Sequence, residues 1–246
     1  MTDETIPNAN AALPTEQVTI TREALADGSM LARVRAMRMP DMVVRTDAEI
    51  EASLDAALAH RARLFPDDAR RTGDVWVFGF GSLMWNPAFA YAERRLGTVA
   101  GWHRRFCLWV PLGRGTPANP GLMLALDRGG TCRGVAFRVP AREARDELLL
   151  VWRREMFGPA YLARWVRVRI GEASVPAVTF VANRAGPRYA GRIGDAEAAR
   201  HIASAAGALG TCREYLEGTL GHLAELGIRD SGMDRIARLL PASGPG

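Results

Sequence analysis

Residues 75–87 read VWVFGFGSLMWNP, and this stretch carries the strongest structural signal in the chain. Its first six residues are apolar or glycine, with β-branched and aromatic side chains, which is typical of a buried β-strand. Gly79 and Gly81 then allow the backbone to approach a ligand closely and leave N–H groups free to bind an anion. On spacing alone, an ordinary tight turn remains the alternative for this loop.

The loop fits neither of two common glycine-rich motifs. A dinucleotide fingerprint requires glycine at position 84, where this chain has Met84, and Asn86-Pro87 follow where a helix should continue. A nucleophile elbow requires glycine at positions 80 and 84 around Ser82. The sequence therefore excludes both motifs here.

Outward from this stretch, apolar patterning and turn residues predict mostly strands, one central helix, more strands and then helices. The predicted strands are 94–99, 103–110, 122–127, 131–139, 162–170 and 175–182. The predicted helices are 140–157, 195–209, 211–226 and 231–240. A hairpin connection is predicted at Asp127-Arg128-Gly129-Gly130. This order predicts an α+β fold with a mixed sheet or a small barrel.

Upstream, residues 1–70 are interpreted as an N-terminal extension, partly disordered and partly helical, before a main domain at 71–246. Residues 1–18 are polar and predicted to be disordered. One or two short helices are expected within 21–31, with a break at Gly28. A longer helix is predicted to begin at Thr46, because Thr46 and Glu49 have capping-box spacing. A loop is predicted from Pro66 to Asp74.

Composition and charge narrow the class of protein. The chain has 246 residues, 48% of them apolar and 24% charged, which excludes collagen, coiled coil and wholesale disorder. The net charge is +5, and every basic residue other than histidine is arginine. This excess suits an anionic partner but is too small to imply nucleic acid. No stretch of 18 uncharged apolar residues exists, and the first residues lack secretory features, so a cytoplasmic location without membrane contact is predicted.

Cysteine and histidine usage argues against a disulfide framework or a metal site. The three cysteines are odd in number, widely spaced and without a CxxC pair, which favours a reducing compartment. The four histidines show no metal-ligand spacing. Four arginine pairs are interpreted as solvated faces, at 70–71, 94–95, 104–105 and 153–154. No metal is therefore expected.

Glu155 is the second candidate for chemistry. It shares the apolar face of the central helix with Leu148, Val151 and Trp152. It also stands in the last turn, where the helix dipole disfavours a carboxylate. Burial and the dipole would both raise its pKa towards a value useful for a general base. The alternative is a surface glutamate paired with a neighbouring arginine, and geometry alone leaves both open.

Taken together, several ordered blocks resemble the ChaC family of glutathione-specific γ-glutamylcyclotransferases. The blocks are VWVFGFGSLMWNP (75–87), GWHRRFCLWV (101–110), GRGTPANPG (113–121), WRREM (152–156) and GTCREYL (210–216). The resemblance implies the γ-glutamylcyclotransferase-like fold, a small mixed β-barrel with flanking helices, with the catalytic domain at 71–246. It implies conversion of glutathione to 5-oxoproline and cysteinylglycine with no cofactor and no metal. We expect a small-molecule substrate as partner, and a monomer or weak dimer.

The resemblance also implies roles for particular residues. The family's catalytic glutamate falls on Glu155. The family's substrate-binding loop falls on Phe78, Gly79, Phe80, Gly81, Ser82 and Leu83. One departure is Phe80, where the family has tyrosine; substrate affinity or specificity shifts if the missing hydroxyl contacts substrate. Arg114, Tyr189 and Tyr215 lie in matching segments without an assigned role.

The chemistry that the resemblance implies needs only a base and a well-shaped pocket. The α-amine of a γ-glutamyl group can attack its own γ-carbonyl and close a five-membered ring. A carboxylate of raised pKa can take the proton from this amine and return one to the leaving amine. Three alternatives stay open: a cyclotransferase for other γ-glutamyl amino acids or amines, a non-catalytic ligand-binding or regulatory protein on the same fold, and an arginine-rich RNA binder.

Overall fold

Five strands close into a small mixed barrel in the order β1-β3-β2-β4-β5. The computed structural model describes residues 20–37, 43–71 and 73–242. The strands are β1 (Val75–Gly79), β2 (Glu93–Val110), β3 (Gly121–Val139), β4 (Tyr161–Ile170) and β5 (Ala173–Ala182). Neighbours in this order are antiparallel, and the parallel pairing of β1 with β5 closes the barrel. A further short parallel pairing joins β3 to β5. The prediction of an α+β fold with a small mixed barrel is confirmed.

The long β2–β3 ladder corrects the predicted hairpin at 127–130. The chain does not turn back there: β3 runs continuously past Asp127, and the connection between β2 and β3 is the segment 111–120. Gly129 and Gly130 have positive φ values of 97° and 68°, and they lie opposite Gly101, with a φ of 80°, at a break in the register. The glycines therefore form a bulge-like irregularity within the ladder rather than a hairpin turn.

The N-terminal helices pack on the outside of the barrel. They are α1 (Arg22–Ala26), α2 (Ser29–Ala36), α3 (Asp47–Leu64) and α4 (Pro66–Arg71). Gly28 separates α1 from α2 with a φ of 76°, and Thr46 caps α3 in a capping box with Glu49, so both local predictions are confirmed. The prediction of a loop over 66–74 is wrong for its first part, because α4 occupies Pro66–Arg71. Pro66 is the first residue of this helix, where an N–H would have no helical partner in any case. The segment predicted to be disordered, 1–18, lies outside the described residues.

The central helix α5 (Ala144–Glu155) lies between the N-terminal helices and the barrel. It is shorter than the predicted 140–157, because turns occupy residues 141–143 and Met156 caps its end. Trp152 is fully buried and packs edge-on against Phe180 of β5, with ring centroids 5.4 Å apart. This packing fixes the helix on the barrel and so fixes the direction of its last turn.

The C-terminal part adds three helices, α6 (Asp195–Ser204), α7 (Cys212–Glu225) and α8 (Ser231–Arg238). The predicted helix 195–209 is too long, since β6 (Ala206–Gly207) and β7 (Gly210–Thr211) form a small hairpin after residue 204. Thr211 begins α7 with a capping box to Glu214. In the part of the chain that the structure describes, no helix combines the length and apolar character needed to cross a membrane.

Candidate active site

The glycine loop leaves the barrel at the end of β1 and turns at once into a short 3-10 helix, Ser82–Met84. A Cβ on Gly79 would stand 3.1 Å from the Cβ of Leu83, and a Cβ on Gly81 would stand 3.0 Å from the hydroxyl of Tyr215. Both contacts are tighter than side chains normally allow. The loop therefore requires glycine for close approach at these two positions, rather than for a left-handed backbone.

Two buried arginines hold the loop in place. Arg154, with 4% of its side chain exposed, donates to the carbonyl oxygen of Asn86 and, over 2.7 Å, to the hydroxyl of Ser82. Arg104, with 2% exposed, donates to the carbonyl oxygen of Phe80 and forms a 2.8 Å ion pair with Asp230. Charge-assisted bonds of this kind are stronger than neutral ones, so the loop is rigidly positioned on the barrel.

Glu155 is the last residue of α5 and faces the same cleft as the loop. Its Oε1 lies 3.1 Å from Nε of Arg154, and 15% of its side chain is exposed. Burial raises the pKa of Glu155 above the ordinary glutamate value, and the neighbouring Arg154 guanidinium only partly opposes this rise. Glu155 thus faces the cleft rather than the open surface, and it also pairs with a neighbouring arginine, as the alternative expected. The carboxylate is poised to exchange a proton with a bound ligand.

Two tyrosines complete the polar part of the cleft: Tyr215, which is buried, and Tyr161, which is partly buried. Burial, reinforced by the negative charge of Glu155, raises the pKa of Tyr215 to about 12 and the pKa of Tyr161 well above its usual value. Tyr161 donates to the carbonyl oxygen of Leu124 over 2.7 Å. Arg114 lies over the ring of Tyr215, with Cζ 5.2 Å from the ring centroid. Both phenols therefore stay neutral. Because the hydroxyl of Tyr161 already donates to Leu124, Tyr215 is the one that can donate a hydrogen bond to a ligand in the cleft.

The structure brings most of the sequence-predicted site residues to this one cleft. Phe80, Gly81, Ser82, Leu83 and Glu155 all line it. Phe78 and Gly79 are not among its lining residues: Phe78 is fully buried in the barrel, where its carbonyl accepts a 2.9 Å bond from Thr179. Phe78 and Gly79 are the last two residues of β1, and they join the loop to the barrel.

Of the segments that carried no assigned role, two reach the cleft and one does not. Arg114 and Tyr215 line it, whereas Tyr189 binds Asp127 over 2.8 Å elsewhere on the barrel. Sequence reasoning missed Tyr161, whose place at the start of a strand carries no catalytic signal.

Two of the four arginine pairs interpreted as solvated are corrected. Arg104 and Arg154 are buried, because polar partners satisfy both guanidinium groups. Arg104 binds the carbonyl oxygens of Phe80 and Arg133 and the carboxylate of Asp230. Arg154 binds the carbonyl oxygen of Asn86, the hydroxyl of Ser82 and the carboxylate of Glu155. Arg94 and Arg95 are exposed, as expected. Within residues 20–37, 43–71 and 73–242, no group of three or more His, Cys, Asp and Glu side chains is arranged to hold a metal ion.

The barrel has the fold of the γ-glutamylcyclotransferases. A crystal structure of a glutathione-specific γ-glutamylcyclotransferase from yeast superposes with a TM-score of 0.61 at 20% sequence identity, covering 68% of this chain and 97% of the yeast chain. At this identity the likeness concerns the fold alone.

Sequence similarity then defines the family. The family described as ChaC-like protein matches residues 75–242, so the chain belongs to this family. A glutathione-specific γ-glutamylcyclotransferase of Escherichia coli is 43% identical over 184 residues, which is 74% of this chain and 76% of that protein. A human relative, glutathione-specific γ-glutamylcyclotransferase 1, is 33% identical over 155 residues, which cover 60% of this chain and 70% of the human protein.

Proposed function

We propose that this protein is a glutathione-specific γ-glutamylcyclotransferase that converts glutathione into 5-oxoproline and cysteinylglycine. The observation that carries the proposal is the position of Glu155. This carboxylate has a raised pKa and lines the same cleft as the loop 80–83. The 43% identity to the Escherichia coli enzyme supports glutathione as the substrate. The family resemblance and the geometry thus point to one reaction.

The reaction needs proton transfer and a folded substrate. The α-ammonium of the γ-glutamyl group loses one proton to become nucleophilic, and its nitrogen bonds to the γ-carbonyl carbon. The nitrogen loses a second proton as the lactam forms, while the bond to the cysteine nitrogen breaks. That nitrogen gains the two protons and leaves as the ammonium group of cysteinylglycine. The protons balance, so a single carboxylate that accepts and returns protons is sufficient.

In this proposal each part of the cleft has one task. Glu155 carries the protons, and its raised pKa makes it a stronger base than a solvated glutamate. The loop 80–83 holds the γ-glutamyl group in the bent shape that ring closure needs, through backbone N–H groups and the walls that Arg104 and Arg154 support. Holding the two reacting groups together contributes up to ~7–11 kcal/mol in ideal cases. The neutral hydroxyl of Tyr215 can donate to the negative oxygen that develops.

The decisive experiment is incubation of the purified protein with glutathione, followed by mass spectrometry for 5-oxoproline and cysteinylglycine in equal amounts. γ-Glutamylalanine and a γ-glutamylamine serve as parallel substrates. The expected result is efficient turnover of glutathione alone. Turnover of the parallel substrates instead would assign a different γ-glutamyl substrate, and binding of glutathione without any product would indicate a non-catalytic protein.

We further propose that the protein acts in the cytoplasm. Cys107, Cys132 and Cys212 are free and buried, and burial raises the pKa of Cys107 to about 12 and that of Cys132 to about 11. Such thiols are poor nucleophiles and do not form disulfides readily, which suits a reducing compartment. Cell fractionation with an antibody to the protein tests this location.

A further inference from the structure

One face of helix α2 forms part of the wall of the candidate active site. Met30, Arg33, Val34 and Met37 line the same cleft as Glu155, and so does Ile20 just before α1. The first four are spaced i, i+3, i+4 and i+7, which puts them on one side of a helix. This wall lies outside residues 75–242, the range that the family description matches.

The wall is built onto the helix that carries Glu155. Arg22 in α1 makes a two-pronged ion pair with Glu147 of α5, and both of its bonds measure 2.5 Å. Arg153 of α5 donates to the carbonyl oxygens of Leu25 and Ala26, each over 2.8 Å. These bonds satisfy the C-terminal end of α1. Helix α1, which α2 follows directly after Gly28, is therefore attached to α5, the helix that carries Glu155.

A second attachment lies immediately after Glu155. The N–H of Arg45 donates to the carbonyl oxygen of Phe157 over 2.8 Å, and its guanidinium donates to that of Met156 over 2.7 Å. Arg35 of α2 in turn donates to the carbonyl oxygen of Arg45 over 2.8 Å. The α2 wall is thus tied to the turn that ends α5, directly after Glu155.

The α2 wall offers one cation on an otherwise apolar surface. Arg33 is exposed, and among the described residues no hydrogen bond or ion pair engages its guanidinium; Asp27 acts on it only as a nearby charge. By contrast, the guanidinium of Arg154 is occupied by Ser82 and Asn86, and that of Arg114 donates to the carbonyl oxygen of Thr211. A ligand carboxylate entering this end of the cleft would find Arg33 available.

We propose that the α2 wall binds the cysteinylglycine half of glutathione, with Arg33 paired to the glycine carboxylate. This inference rests on the proposed function. The two methionines suit the cysteine side chain, because a flexible, polarisable thioether packs well against a thiol. The γ-glutamyl half occupies the loop 80–83, so the tripeptide lies between the loop and α2. The N-terminal helices then determine which leaving group is accepted.

The experiment compares glutathione with glutathione whose glycine carboxylate is converted to an amide. Arg33→Met keeps the length and apolar stem but removes the charge. Arg33→Met should raise KM for glutathione about tenfold, which is at the lower end of the loss expected when a charge-assisted hydrogen bond is removed, because Arg33 is exposed. It should leave kcat within about twofold and leave KM for the amide unchanged. Arg33→Lys should restore part of the affinity. Arg63→Met on α3, an exposed arginine that does not line the cleft, is the matched control.

Each outcome decides the inference. A loss for glutathione but not for the amide supports it. Equal effects on both substrates, or none on either, would overturn it, as would transfer of the discrimination to Arg188→Met, since Arg188 also lines the cleft. If the wild-type protein makes no 5-oxoproline, the proposed function fails separately. Calorimetric binding of glutathione and its amide to wild type and Arg33→Met then still tests the role of Arg33.

Discussion

Replacing Glu155 with glutamine isolates the proton-transfer step from the shape of the site. The amide has nearly the same size, and its oxygen can still accept the bond from Nε of Arg154, now 3.1 Å from the carboxylate. Arg154 also keeps its bonds to Ser82 and Asn86, so the loop stays in place. Only the ability to accept a proton is lost. Turnover should fall at least ~10²-fold, or about 2.7 kcal/mol in the activation free energy.

The same variant should not lose stability at neutral pH. Burial raises the pKa of Glu155 in the folded state, so the ionised side chain opposes folding wherever it is deprotonated in both states. The cost appears as the pH rises through the unfolded and then the folded pKa, and it is absent below both. Glu155→Gln should therefore unfold at the same or a higher temperature than wild type near pH 7.5. The difference should disappear in acid.

The assay combines 5-oxoproline release by mass spectrometry with a pH series and thermal unfolding. In the wild type, kcat should fall on the acid side as Glu155 becomes protonated, with a midpoint above the ordinary glutamate pKa. This limb should be missing from any residual activity of the variant. A folded Glu155→Gln protein that releases 5-oxoproline at close to the normal rate would refute the reasoning, and the base would have to be another carboxylate or water.

Three further substitutions test how the loop is built. Gly81→Val should abolish most glutathione binding while the fold survives, because the new Cβ would stand 3.0 Å from the hydroxyl of Tyr215; normal calorimetric binding by the folded variant would contradict a site at this loop. Phe80→Tyr should be tolerated, with at most a modest change in KM, and a collapse of the thermal transition would show that the pocket has repacked around phenylalanine. Arg104→Met should lower the free energy of unfolding by about 3 kcal/mol, since it leaves Asp230 and the Phe80 carbonyl without their partner, and an unchanged denaturant midpoint would remove Arg104 from the support of the loop.

Features that depend on neighbours in the chain could be predicted from the sequence. The buried strand and glycine loop at 75–83 follow from composition and order, and the capping box at Thr46 follows from spacing. The place of Glu155 on the face of Val151 and Trp152 favours an inward direction, because helical periodicity fixes which side chains share a side, but the sequence alone left a surface position open. Family resemblance then linked the loop with the glutamate.

Features that depend on distant partners could not be predicted in this way. Gly129 and Gly130 permit either a hairpin or a bulge, and only the pairing of β3 with the bent β2 selects the bulge. The residues next to Arg104 in the sequence indicate only a solvated face. In the structure its guanidinium is buried and binds Asp230, which is 126 residues away, and the carbonyl oxygen of Phe80.

The sequence by itself therefore determined the chemical groups of this site and the local elements that carry them. The tertiary structure decided which groups meet. It alone brings Tyr161 and Tyr215 to Glu155, and it alone sets α2 beside the cleft through ion pairs and carbonyl bonds to α5. The physical reason is that burial raises the pKa of Glu155 and covers the side chain of Arg154, and burial is created by packed surfaces that are far apart along the chain.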